Sequence, residues 1–154
     1  MWGLLSNYNL KLVLIEHEKK IQIEWEREEG IVVALDFGLL SEGLRLLILH
    51  LAAIFTNKNK LICFEEPESH TFPYYTKLLA EIVAGDKDNQ YIITTHNPYF
   101  LLNIIENTRP SDIAVYIANI KNHATSLYML SDDELPELLD MEMDLFFNLE
   151  RFIE

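Results

Sequence analysis

Cysteine is almost absent from this 154-residue sequence, in which Cys63 is the single thiol. One thiol cannot form an internal disulfide and supplies no thiolate cluster for zinc, so disulfide-stapled folds and cysteine-based zinc sites are excluded. The same scarcity is typical of a reducing compartment, and we expect a cytoplasmic protein. Because Cys63 lies within an apolar run, we expect it to be a small buried residue of a strand.

Basic residues are also scarce, since 12 lysines and arginines stand against 25 aspartates and glutamates, which gives a net charge of -13. Affinity for a phosphate backbone comes largely from lysine and arginine, so direct nucleic-acid binding by this chain is not expected. The acidity is concentrated in residues 132–154, where Arg151 is the only base. We expect this acidic tail to be helical and either mobile or partner-facing.

Long apolar runs are missing as well. The most apolar segment, residues 44–55, is interrupted by Arg45 and His50. It is shorter than the ~20 residues that a membrane-spanning helix needs, so we expect no membrane span. The segment predicts a buried helix instead. The first residues lack the charged region and apolar core of a secretory signal, which favours the same cytoplasmic location.

The sequence has no phosphate-binding loop. None of its glycines lies in the G-x-x-x-x-G-K-[ST] arrangement whose backbone amides cradle a nucleotide phosphate. The five glycines are Gly3, Gly30, Gly38, Gly43 and Gly85. By itself, the chain therefore cannot be a complete P-loop enzyme.

Strands and helices alternate through the rest of the sequence. Two β-rich runs predict an N-terminal hairpin over residues 10–16 and 20–25, and a third apolar run covers residues 31–37. The next predicted elements are a helix over residues 42–55 capped by Ser41, a strand over 61–64, a helix over 73–84, a strand over 91–95, and a helix opened by Asn97 and Pro98 that runs through residue 105. Two strands, residues 113–117 and 126–130, are expected to flank a turn at Lys121 and Asn122. This order indicates an α/β fold.

Polar side chains follow two of these strands at the point where each strand ends. Glu65 and Glu66 come directly after the strand at 61–64, and His96 follows the strand at 91–95. A strand–helix–strand crossover makes the two strands parallel, and their carboxyl ends share the sheet edge where ligands bind. Two carboxylates and an imidazole suit phosphoryl transfer, because they can hold Mg²⁺, orient water and contact a terminal phosphate.

Three segments resemble the motifs of ABC-type ATPase heads, the group that includes SMC-like, RecF-like and overcoming-lysogenisation-defect ATPases. L-S-E-G at residues 40–43 resembles the signature motif, L-I-C-F-E-E-P-E at 61–68 resembles Walker B, and T-T-H-N-P at 94–98 resembles the switch-histidine loop. The resemblance implies a P-loop NTPase-like (ABC ATPase) fold, with a partial sheet, flanking helices and the N-terminal hairpin. Residues 1–39 would supply N-terminal strands, 40–106 the motifs, and 107–154 the C-terminal strands and tail.

The resemblance also implies roles for individual residues. Glu66 would be the general base and His96 the phosphate sensor, both catalytic. Glu65 would assist Mg²⁺ through water; many heads have Asp at this position, so Glu65 is a departure. Ser41, Glu42 and Gly43 would bind the ATP held by a second subunit.

The implied cofactors are ATP and Mg²⁺, and neither is expected to bind tightly to the isolated chain. The implied partners are a P-loop-containing half or subunit and a second ATPase head. ATP hydrolysis then requires both partners.

Other interpretations of the same residues remain open. Taken alone, Glu65 and Glu66 fit solvated charges at a strand end, and L-S-E-G fits a helix cap that follows a turn. A non-catalytic module that binds partners through the signature helix and acidic tail is the main alternative function. A metal-dependent nuclease is a third class, but Walker B already accounts for the acidic cluster.

Overall fold

The computed structural model describes residues 10–27 and 30–153. Seven strands and four α-helices occur in these ranges. The strands are β1 (Leu10–Ile15), β2 (Lys20–Glu26), β3 (Val32–Asp36), β4 (Leu61–Glu65), β5 (Gln90–Thr94), β6 (Tyr116–Lys121) and β7 (Ala124–Met129). The α-helices are α1 (Glu42–Thr56), α2 (Pro73–Gly85), α3 (Pro98–Asn107) and α4 (Glu134–Asp140). None of the helices in these ranges is long and apolar enough to cross a membrane.

The predicted N-terminal hairpin is confirmed, and the third apolar run extends it into a three-stranded antiparallel sheet with the order β1-β2-β3. Leu12, Ile23 and Leu35 are partners across the three strands, so they share one face of the sheet. Of these three, only Ile23 is fully buried. Leu12 is half-buried and Leu35 is exposed, so this face is only partly covered.

The β4–α2–β5 unit contains the parallel strand pair that the crossover pattern predicted. Pro73 begins α2 in the position where proline stabilises a first turn. The inner face of the pair packs on three helices in the main core, which is formed by Leu47, Leu51, Ile54, Phe64, Leu79, Ala80, Val83 and Phe100. This core fixes the strand ends on which the candidate site stands.

The outer face of the same strand pair corrects the expectation that Cys63 is buried. Cys63 is exposed, and its cross-strand partner Ile92 and neighbour Leu61 are exposed as well. The side chains of a strand alternate between its two faces, and only the face with Ile62 and Phe64 meets the core. Helix α1 is likewise buried on one face only, since Leu49 is about half exposed.

The C-terminal strands form the antiparallel hairpin β6–β7, but their bounds differ from the prediction. β6 begins at Tyr116 rather than at residue 113, and the turn lies at Asn122 and His123, both with positive φ. Residues 113–115 form no strand, although Ile113 and Val115 pack against the C-terminal core. Apolar character there reflects packing rather than strand pairing.

The acidic tail, described through residue 153, packs against the domain. It consists of α4 and two short 3-10 helices, Glu142–Phe147 and Leu149–Phe152, so the helical prediction holds in part. Its apolar side chains join α3 and β6 in a second core, which is formed by Ile105, Ile117, Leu130, Leu135, Leu138, Leu145 and Phe152. Burial of these side chains offsets the repulsion among the tail's carboxylates.

A polar network closes the end of the main core opposite the carboxyl ends of β4 and β5. The Asp86 carboxylate accepts hydrogen bonds from the Tyr91 hydroxyl and from the Asn89 amide, the latter at 2.9 Å. Asn89 also donates to the carbonyl of Asn57, at 3.1 Å, beyond the end of α1. Burial raises the pKa of Asp86, but these hydrogen bonds outweigh it and hold the pKa below its usual value. Burial, together with the hydrogen bond to Asp86, raises the pKa of Tyr91.

Acid should remove the stabilisation that Asp86 provides. A depressed carboxyl pKa stabilises the fold above the unfolded pKa of about 3.9, and this contribution is lost as pH falls through the folded pKa. We expect Asp86→Asn to lower the free energy of unfolding by about 1 kcal/mol at pH 7, because the group is partly exposed, and by less as pH falls below about 4. Urea unfolding at several pH values measures this difference. A difference that is constant with pH would contradict the assignment.

Candidate nucleotide-hydrolysis site

The carboxyl ends of β4 and β5 carry the residues of the candidate site. Glu65 and Thr94 are the last partners of the parallel pair, and the backbone N–H of Glu66 donates to the Thr94 carbonyl at 2.8 Å. Nδ1 of His96, two residues after Thr94, lies 2.8 Å from Glu66 Oε1. Two residues thirty positions apart are thus brought into direct contact at the sheet edge.

The Glu66 carboxylate is held at both oxygens. His96 contacts Oε1, and the hydroxyl of Ser69 donates to Oε2 at 3.1 Å. The side chain remains 42% exposed, and that of His96 is 72% exposed, so both reach solvent. A carboxylate that is oriented by two partners yet open to water has the arrangement that a general base requires.

The backbone of the turn that follows β4 is unusual. Glu66 has φ 42° and His70 has φ 60°, which places two non-glycine residues in the left-handed region. Such residues cost free energy and concentrate at functional sites. Hydrogen bonds from Ser69 N to Glu66 O, at 2.9 Å, and from Thr71 N to Glu68 O, at 3.1 Å, stabilise this turn.

Glu65 stands apart from the Glu66–His96 pair. Its side chain is exposed and makes no hydrogen bond or ion pair within the described ranges. No group of three His, Cys, Asp or Glu side chains that could hold a metal occurs in residues 10–27 and 30–153. One free carboxylate at a strand end does fit Mg²⁺ that arrives with a nucleotide, because this ion usually takes one or two carboxylates plus phosphate oxygens and waters.

The L-S-E-G segment caps a helix, as predicted. Ser41 Oγ accepts a hydrogen bond from the backbone N–H of Leu44 at 3.4 Å, at the start of α1. Glu42 lies in the first turn, where a carboxylate is favourable, with Oε2 4.0 Å from His70 Nδ1. Ser41, Glu42 and Gly43 make no hydrogen bond or ion pair with Glu66 or His96 among the described residues.

Gly43 is packed against the turn that follows β4. A Cβ atom at this position would lie 2.2 Å from the carbonyl oxygen of His70, closer than any side chain tolerates. The contact joins the start of α1 directly to the turn that follows β4. Beside it lies an open hollow of about 330 Å³, lined by Ser41, Glu42, Gly43, Leu44, His70, Phe72 and Tyr75.

Sequence analysis did not single out Glu68 and Thr95. Glu68 is only 6% exposed, and its Oε1 accepts a hydrogen bond from the Thr95 hydroxyl. Thr95 directly precedes His96, and its hydroxyl accepts from Asn97 N at 3.0 Å. The second acidic residue of E-P-E was the available signal, but its burial depends on the turn and could not be read from spacing.

A family model described as "AAA domain, putative AbiEii toxin, Type IV TA system" matches residues 6–103. The chain belongs to this family of AAA domains. Among proteins with curated descriptions, no sequence matches it.

Solved structures also resemble this AAA domain. One comes from work on ATP-driven dimerization and DNA stimulated activation of SMC ATPases; it is 15% identical, with a TM-score of 0.59, and the match covers 85% of this chain and 78% of that one. Another is an SmcHead bound to the C-winged helix domain of ScpA, with 14% identity, a TM-score of 0.58 and 83% of this chain covered. The AAA domain spans 39% of that second chain. The predicted fold class, a partial P-loop NTPase-like α/β fold, is confirmed.

Proposed function

We propose that this AAA domain is the C-terminal part of an ABC-type ATPase head, which hydrolyses ATP once a P-loop half and a second head complete the site. The contact between Glu66 and His96 at the ends of β4 and β5 carries the proposal. It places an oriented carboxylate and an imidazole at the sheet edge where open α/β sheets bind ligands.

Glu66 acts as the general base in this proposal. Because a carboxylate only accepts hydrogen bonds, His96 Nδ1 must carry the proton that joins the two side chains. The opposite ring nitrogen, Nε2, then remains to contact the terminal phosphate, and it donates to a phosphate oxygen when the ring is protonated. Bound Mg²⁺, assisted by Glu65, would neutralise charge on the phosphates.

A separate P-loop half is proposed for two reasons. The chain has no glycine-rich phosphate loop, and the β4–β5 pair leaves its outer face open at Leu61, Cys63 and Ile92. Parallel strands are normally covered on both faces. The open apolar face therefore supports a further layer of polypeptide, supplied by the segment that carries the P-loop.

The signature segment is proposed to serve the nucleotide of the opposite head. Ser41, Glu42 and Gly43 form the start of a 15-residue helix, and backbone N–H groups at such an end favour phosphate. The SMC ATPases that resemble this chain are described as dimerising in an ATP-driven manner. The same assembly would bring Ser41 to ATP held by a second subunit.

Titration with Mg·ATP tests whether nucleotide binding requires the P-loop half. We expect calorimetry to detect no micromolar binding by the isolated chain, because the phosphate cradle lies on the missing half. Addition of the P-loop half, as a separate polypeptide or a fusion, should produce steady ATP turnover. Micromolar binding by the chain alone, or a completed head without turnover, would contradict the proposal.

A non-catalytic partner-binding module is the second candidate. The observation in its favour is the outward face of the β6–β7 hairpin, where Tyr116, Ile120, Leu127 and Met129 are all more than half exposed. Apolar patches of this kind mark interaction sites. A completed assembly that binds its partner tightly but hydrolyses no ATP would favour this module over the ATPase.

A further inference from the structure

The buried glutamate of the Walker B turn links the two loops of the candidate site. Glu68 is 6% exposed, and its Oε1 accepts from the hydroxyl of Thr95, the residue before His96. The backbone carbonyl of Glu68 accepts from the Thr71 hydroxyl at 2.6 Å, which anchors the same residue within its own turn. Glu68 therefore spans from the loop of Glu66 to the loop of His96.

Thr95 continues this link into helix α3. Its hydroxyl donates to Glu68 and accepts from the backbone N–H of Asn97 at 3.0 Å, so both capacities of one hydroxyl are used. The Asn97 side chain in turn accepts from Phe100 N at 3.1 Å and caps α3. His96 thus lies between two anchored residues, although its own ring is exposed.

Glu68 has a feature that a simple packing residue would not need. Its Oε2 is buried and has no hydrogen-bond partner among the described residues. Burying a carboxylate oxygen without a partner costs free energy, and an apolar side chain of similar size would avoid that cost. A carboxylate at this position requires an explanation other than filling the core.

We propose that Glu68 and Thr95 are a positioning pair that sets His96 against Glu66. The inference rests on the proposed ATPase function, because the pair has a catalytic purpose only if Glu66 and His96 act together. Glu68 and Thr95 do not touch the reacting atoms. They hold the loop after β5 onto the turn after β4, so that Nδ1 of His96 meets Oε1 of Glu66.

Threonine substitutions test the pair with a matched control. Thr95→Val keeps the side-chain shape but removes the hydroxyl, whereas Thr95→Ser keeps the hydroxyl. In the completed head, Thr95→Val should lower kcat by up to about 10²-fold, the loss that a misplacement of about 1 Å can cause. KM for ATP should stay unchanged, and Thr95→Ser should restore kcat. A Thr95→Val head with wild-type kcat, or with changed KM only, would overturn the proposal.

A double-variant cycle shows whether the two residues act through each other. Glu68→Met removes the acceptor, and Glu68→Gln keeps one. If the two residues act through the same hydrogen bond, Thr95→Val combined with Glu68→Met should lower kcat no more than Thr95→Val alone. Glu68→Gln should retain activity. If the fold-reduction in kcat of the double variant equals the product of the two single reductions, the pairing is wrong. Thermal unfolding of each variant confirms that it is folded.

A measurement on the isolated chain separates this inference from the ATPase proposal. Long-range ¹H–¹⁵N NMR of ¹⁵N-labelled protein identifies histidine tautomers through the carbon-bound ring protons. It should show the signal of the Nδ1–H tautomer of His96, which is assigned with His96→Gln. The signal should persist in Thr95→Ser and disappear in Thr95→Val. If the signal disappears in Thr95→Val but the wild-type head shows no ATP turnover, the positioning pair is supported and the ATPase proposal is wrong. If the wild-type head turns over ATP but the signal is unchanged in Thr95→Val, the ATPase proposal is supported and the positioning pair is wrong.

Discussion

Replacing Glu66 with Gln in the completed head should lower ATP turnover by about 10²–10⁴-fold, the usual contribution of a positioned general base. Glutamine keeps the shape of the side chain. Its one carbonyl oxygen can still accept from His96, and its NH2 group can donate to the Ser69 hydroxyl, so the turn should fold as before. What it loses is the capacity to take a proton from the attacking water. The rate of phosphate release under saturating Mg·ATP measures the effect.

The control for this substitution is Glu81→Gln, on the exposed side of α2. Glu81 pairs only with Lys77, at 3.7 Å, within the described residues, and exposed pairs of this kind contribute little. We expect turnover equal to that of the wild-type head. If Glu66→Gln also turns over ATP at the wild-type rate, the base is another residue and the assigned site is wrong.

Gly43→Ala should have the largest effect on the stability of the chain itself. The new Cβ would meet the carbonyl oxygen of His70 at 2.2 Å, and a backbone atom cannot turn aside as a flexible side chain can. Either α1 or the turn after β4 must move. Overpacking of this kind costs about 1–3 kcal/mol, which urea unfolding of the isolated chain would detect as a lower midpoint.

Gly38→Ala and Gly85→Ala are the matched controls. A Cβ at either position meets no atom within 4 Å, so these variants should unfold at or slightly above the wild-type midpoint. A Gly43→Ala protein as stable as they are would contradict the close packing.

Local chemistry explains which elements could be predicted from the sequence. Ser41 and Asn97 each accept a backbone N–H three residues later, and Pro73 and Pro98 fit the first turns of their helices. These signals act within one turn of chain. The burial of Cys63, by contrast, depends on whether a second layer covers β4, and no local pattern contains that information.

In the candidate site, too, some features could be predicted from the sequence and others could not. Topology alone brought Glu66 and His96 to one edge, because parallel strands share their carboxyl ends. Glu68 and the contact between Gly43 and His70 depend on a turn in which two non-glycine residues adopt positive φ. Side-chain spacing does not encode such a turn. The packing of the acidic tail was also hidden, because its charge count masks the apolar residues that hold it.

Because the backbone at Glu66 is left-handed, the residue that would best stabilise the turn differs from the residue proposed for catalysis. Glycine adopts φ near 42° without strain, and asparagine tolerates it better than glutamate does. A selection for heat resistance alone would therefore favour glycine or asparagine at this one position. Either residue would relax the turn, but under the proposed function it would also remove the general base, so stability and activity make opposite demands on this position.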